Sequence, residues 1–182
     1  MELYMSFVQE NVILSAIIHF AILGTFGEIL SQWVVNRSFK YPFSAFMTLK
    51  KMIIWAALGV TIKAAFVGFA GNPGANDGFV TALMAQNFLP QVGKDSFWYA
   101  FLVSTMMNLQ FGPFMILIHR VLDNLAAGVS NWKGISKGFY CLLWFWIPAH
   151  TVTFLMPNDL RVLMASIWSV ALGLLLGFFN RK

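Results

Sequence analysis

Glu28 stands inside the apolar run Gly24-Thr25-Phe26-Gly27-Glu28-Ile29-Leu30-Ser31-Gln32, and Lys63 stands inside a second apolar run. An isolated charge among apolar side chains is costly. An acid and a base placed there are therefore expected to pair, to face a polar path, or to carry a proton. Gln32 follows Glu28 by one helical turn and would share its face. Asn108 and Gln110 add hydrogen-bonding groups to a third run, and Arg161 stands four positions after Pro157. Proline breaks a helix by removing a hydrogen bond and clashing with the preceding turn, so Arg161 is placed to fix or gate the corner. If the first run is traversed inward and the second outward, Glu28 lies about 10 Å and Lys63 about 16 Å from the inner end. Two side chains of that reach could meet as a charge pair, with a lysine snorkelling to the interface as the alternative.

His19 and His150 fall at a similar depth, about 10 Å below the outer face on the same arithmetic. Two histidines at one level could ligate haem or a metal. No His-x-x-x-His pair and no Glu-x-x-His accompanies them, so hydrogen-bonding histidines are favoured and neither metal nor cofactor is expected. The chain has no Gly-rich phosphate loop and no nucleophile-elbow context for a Ser/His/Asp set. No enzyme is expected.

The elements that must hold these groups are long and apolar. The first span is expected over Asn11–Val35, followed by a basic loop from Asn36 to Lys51 and a second span over Met52–Ala70. Gly71-Asn72-Pro73-Gly74 carries turn chemistry. Phe79–Pro90 is too short to cross a bilayer and reads as an interfacial or re-entrant helix. A third span is expected over Phe97–Ile118, with Ser96 as its cap, then a loop from His119 to Lys137. A fourth segment covers Gly138–Met156 and a fifth Val162–Phe179. The expected fold is thus an all-α polytopic transmembrane helix bundle in one domain, residues 1–182. Four spans would result if Pro148 and Pro157 make the last pair one broken helix.

Of the 182 residues, 59% are apolar and only 10% charged, where a soluble domain carries about 25% charged residues. That excludes an ordinary soluble domain. The net charge of +5 sits in the loops flanking apolar runs, which is a topology signal rather than a nucleic-acid surface. Basic residues number four in the first loop, one in the second, three in the third, one in the fourth and two in the tail. This alternation predicts five crossings with the N-terminus outside. Cys141, the one cysteine, cannot form an internal disulfide. Gly24 with Gly27, and Gly173-x-x-x-Gly177, offer small faces for close helix approach.

Gly27-Glu28-Ile29-Leu30-Ser31-Gln32 resembles the G-D-x-[IV]-x-Q of the Mpv-seventeen/PMP-twenty-two family of small integral membrane proteins, with Glu in place of Asp. Phe111-Gly112-Pro113 resembles that family's F-A-P, and Phe154, Pro157 and Arg161 resemble its N-F-x-x-V-P-x-x-x-R. The family's second-span G-P-x-x-H-x-W-Y keeps only Gly59 here, and members are described as four-span. The resemblance implies a channel or pore-like protein for small solutes or metabolites, in a bacterial cytoplasmic or mitochondrial inner membrane. Its expected partners are the lipid bilayer and the solute, with homo-oligomers left open. On that reading Glu28, Gln32, Lys63, Asn108 and Gln110 would line the path. A structural or assembly protein is the rival expectation, and a bis-histidine haem protein a third.

Overall fold

The computed structural model describes residues 2–181. Among them the regular structure is entirely helical, and five helices are long and apolar enough to cross a membrane. Helix α1 (Glu2–Glu10) precedes the first of these, α2 (Val12–Asn36). The others are α3 (Ala45–Ala70), α5 (Phe97–Ala127), α6 (Ile135–Leu155) and α7 (Asn158–Phe179), and α4 is the short helix Phe79–Ala85. The pair around Pro157 is therefore two helices, each long enough to span.

Several boundaries differ from those expected. Helix α3 starts at Ala45 rather than Met52, because Ser44 caps it: Met47 N–H donates to Ser44 Oγ at 3.2 Å. That draws Lys50 and Lys51 out of the loop and into the first turns of a helix. Helix α5 runs to Ala127, nine residues past Ile118, and takes in His119, Arg120 and Asp123. It stops where Gly128 adopts φ +66°. Helix α4 ends at Ala85, short of Pro90, and helix α1 had no counterpart in the sequence reading. A charge marks where a helix leaves apolar surroundings. It does not mark where backbone hydrogen bonding ends.

The sides of α2 show how the chain meets lipid. Leu14, Ile18, Ile22 and Phe26 form an exposed stripe at four-residue spacing, while Ser15, Ala16, Gly24, Thr25 and Gly27 are buried. Apart from the buried Phe20 and Ile29, bulk faces outward and small residues face inward, as expected where the surroundings are as apolar as the side chains. Three buried hydroxyls find acceptors on their own helix: Ser15 Oγ donates to Val12 O, Thr153 Oγ1 to Ala149 O and Ser166 Oγ to Leu163 O. Two turns widen to π geometry, Phe20–Gly24 in α2 and Leu142–Trp146 in α6. The second lies just before Pro148, which has no amide to offer Trp144 O.

By contacts the chain gathers into two compact units. The first runs to Val60, then takes Val121–Asn131 and everything from Val162 onward; the second holds Thr61–Arg120 and Trp132–Arg161. In the second unit the loop after α3 is tied by Asp77, whose Oδ1 accepts from Asn72 N–H at 2.9 Å and whose Oδ2 accepts from Asn72 Nδ2 at 2.7 Å. These bonds, with Lys94 nearby, hold the Asp77 carboxyl below the usual aspartate range. A depressed folded-state pKa contributes stability that is complete above the unfolded value of about 3.9 and is lost as pH falls through the folded value. Carbon NMR should therefore show Asp77 titrating below a model aspartate. Asn72→Ala should return it toward the ordinary value; an unmoved Asp77 signal would refute this account of the loop.

Candidate functional site

Two polar clusters lie between the membrane-length helices, one in each unit. In the first, Glu28 on α2 is ion-paired with Lys51 on α3, and Lys51 Nζ also lies 3.3 Å from Asp123 Oδ1 on α5. Trp55 Nε1–H donates to Glu28 Oε1 at 2.7 Å. Lys51 and Trp55 are one turn apart, so a single face of α3 delivers both donors to one carboxylate. The three ionic side chains are only 12–26% exposed. Next to them, Lys50 Nζ donates to Ala126 O at 2.7 Å and closes the end of α5 onto α3.

Packing fixes that geometry. The Trp55 ring stacks on Phe20 at 6.4 Å, and a Cβ on Gly24 would run into the indole. The π turn over Phe20–Gly24 buries both of those residues. Gly27, beside Glu28, lies against α7, where an added Cβ would come 2.7 Å from Ser169 O. Glycine at position 27 therefore lets α2 and α7 touch backbone to backbone.

The expected Glu28–Lys63 pair is thus corrected: the lysine on Glu28 is Lys51. Lys51 and Lys63 are twelve residues apart on one helix, which turns their side chains roughly 120° from each other. Gln32 is exposed, and its Oε1 lies 3.5 Å from Asn36 Nδ2, near the end of α2. Gln110 is exposed as well, about 200° around α5 from Asn108, with Met106 Sδ as its contact. Sequence reasoning left Lys51 and Asp123 in loops and gave Trp55 no role. The usable signal was the i, i+4 pair Lys51/Trp55.

The second cluster runs along the α5–α6 seam. Asn108 is buried, and its side-chain amide meets His150 Nδ1 at 3.1 Å and donates to Ser104 O at 2.8 Å. Ser104 Oγ donates to Ile147 O at 2.7 Å, one residue before Pro148. His150 is stacked on Trp146 at 5.0 Å and meets the edge of Phe66 at 5.6 Å. In the first unit, His19 Nε2 lies 3.2 Å from Tyr4 Oη. Each histidine thus has one ring nitrogen beside a protein polar group.

At the Pro157 corner Arg161 Nε donates to Met156 O at 3.1 Å and Nη2 to Phe154 O at 3.0 Å. The guanidinium also lies 5.5 Å from the centre of the Phe154 ring. Carbonyls left without amide partners where α6 stops are satisfied by this one side chain. Lys63, on α3, is partly exposed. Its ammonium has no hydrogen bond or ion pair among the described residues. The nearest charges it feels are Arg161 and Asp159.

Five membrane-length helices, large apolar side chains turned outward and charges turned toward neighbouring helices define an integral membrane protein of the all-α class. Compared with family models, curated proteins and solved structures, the chain matches none.

Proposed function

We propose that this membrane protein passes small solutes across its bilayer along polar groups carried by its helices. The observation behind this reading is Lys63. It stands seven residues before the end of α3, roughly 10 Å along the axis, and keeps a cation there without a hydrogen-bonding partner among the described residues. A charge at the centre of a membrane helix costs about 2.5–3.5 kcal/mol even by the mildest scales, less toward its ends, and the usual compensation is water, a partner or a substrate. Arg161 and Asp159 are the charges within its unit that it feels. The resemblance to a family of pore-like proteins points the same way.

The test is flux into liposomes containing the purified full chain. Lys63→Met is expected to lower solute flux by about tenfold, the rate equivalent of ~1.4 kcal/mol, with unchanged helicity and elution volume. Equal flux in variant and wild type would take Lys63 out of the path. Absence of any solute flux through the wild type would sink the reading altogether.

A second reading, a structural or assembly protein, draws on the first unit. There Glu28, Lys51, Asp123 and Trp55 satisfy one another and Gly27 packs against α7. Groups locked in this way hold helices together. On this reading Lys63→Met changes neither flux nor stability.

A further inference from the structure

His150 of α6 uses only one of its two ring nitrogens within the protein. The side chain is 8% exposed and lies among aromatic rings. Trp146 is stacked on it with ring centres 5.0 Å apart, Phe66 of α3 stands edgewise at 5.6 Å, and Phe154 is tilted against it at 6.5 Å. Trp146 and Phe154 are one turn away on either side along α6.

The Asn108 amide of α5 decides where the imidazole proton sits. Asn108 Nδ2 donates to Ser104 O at 2.8 Å, so turning the amide over would set two oxygens against each other. The second hydrogen on Nδ2 goes to the nearest remaining acceptor. That is His150 Nδ1 at 3.1 Å, closer than Ser104 Oγ at 3.3 Å or Trp146 O at 3.5 Å. Asn108 Oδ1 is the more distant of the two amide atoms from Nδ1, at 3.3 Å. Nδ1 therefore accepts, and an imidazole that accepts at Nδ1 carries its proton on Nε2.

Among the described residues Nε2 makes no hydrogen bond, yet it is not sealed from the surface. The open edge of His150 is thus an N–H donor. Hydrocarbon offers it no acceptor, and a ring face is only a weak one. Helix α6 is 21 residues long, close to the thickness of a hydrocarbon core, and His150 stands five residues before its end. That is roughly 7–8 Å along the axis, toward one polar layer of the bilayer.

We propose that His150 Nε2–H, between its aromatic neighbours, binds an uncharged oxygen acceptor: the ester carbonyl of a lipid or the hydroxyl of a small solute. Asn108 is the positioning residue that keeps the proton on Nε2. The argument uses neither Lys63 nor any flux, so it stands or falls apart from solute passage.

The full chain with nitrogen-15 histidine would be placed in bilayers of ester-linked phosphatidylcholine and of its ether-linked analogue, which has no carbonyl. His150→Gln assigns the signal by its loss, and the wild type should show His150 as the Nε2–H form. An Nε2–H proton that resonates downfield in ester lipid and moves upfield in ether lipid identifies the lipid carbonyl as the acceptor. One that moves downfield only when xylitol is added identifies a solute hydroxyl. A proton on Nδ1, or an Nε2–H signal that neither the lipid nor xylitol moves, overturns the site. Asn108→Asp replaces the amide donor with an acceptor, and should shift the proton to Nδ1 and erase the response at unchanged helicity. A response that persists in this variant removes Asn108 from its positioning role. The wild-type comparison decides the site even where the variant does not fold.

Discussion

Replacing Lys51 by methionine is expected to destabilise the folded protein by about 2–3 kcal/mol. Removing one partner from a fully buried ion pair costs ~3–5 kcal/mol, because the remaining charge is stranded. Here the side chains keep 12–26% of their exposure, so water screens part of that cost. Two carboxylates, Glu28 and Asp123, would remain where one ammonium had served both. Glu28 would keep the Trp55 indole, and Asp123 would lose the 3.3 Å contact. Chemical-denaturation midpoints in mild detergent measure the loss. Glu28→Gln in the Lys51→Met background should recover part of it, since it removes one of the stranded charges. Additivity of the two single changes would show that the residues do not interact. Lys63→Met in the same assay should not lower the midpoint, because its ammonium makes no ion pair among the described residues and removing the charge removes a desolvation cost.

Adding a single methyl group at Gly173 should cost as much. A Cβ there would sit 2.7 Å from the Gly27 carbonyl carbon and 3.0 Å from Gly27 Cα. Both are backbone atoms and cannot rotate away, so α2 and α7 would have to separate. Overpacking in a rigid setting costs about 1–3 kcal/mol, and Gly173→Ala belongs at the upper end. The matching control is Gly68→Ala on α3, where nothing lies within 4 Å of an added Cβ. Relief of glycine's conformational entropy should make that change stabilising by roughly 0.5–1 kcal/mol. A shared response at both sites would mean that helix propensity, not the Gly27–Gly173 contact, governs position 173.

The two predictions differ in how much of them could be read from residue types. Gly173-x-x-x-Gly177 and the Gly24/Gly27 pair were recognisable as small faces, but that Gly27 meets Gly173 while Gly24 meets Trp55 was not. Glu28 was recognisable as a charge needing company. Its depth alone also admitted Lys63, whose reach along the axis was adequate and whose direction around the helix was not. Lys51 is not legible in the sequence because it lies where basic residues give way to apolar ones, a boundary that reads as the start of α3. Asp123 was missed in the same manner at the end of α5. For Asn108, the residue type announced a hydrogen bond, and packing decided that its partners would be Ser104 and His150.

By itself the amino-acid order determined that this chain belongs in a membrane, that it does so as helices, and how many of them are long enough to cross. Lipid offers no hydrogen bonds, so length and apolarity leave the backbone few alternatives. The tertiary structure alone decided which lysine neutralises Glu28, which glycines let two backbones touch, and that the Lys63 ammonium has no hydrogen bond or ion pair among the described residues. Position along a sequence measures height on a helix. Which neighbour a side chain faces depends on rotation and on how the helices pack, and only the assembled fold contains those.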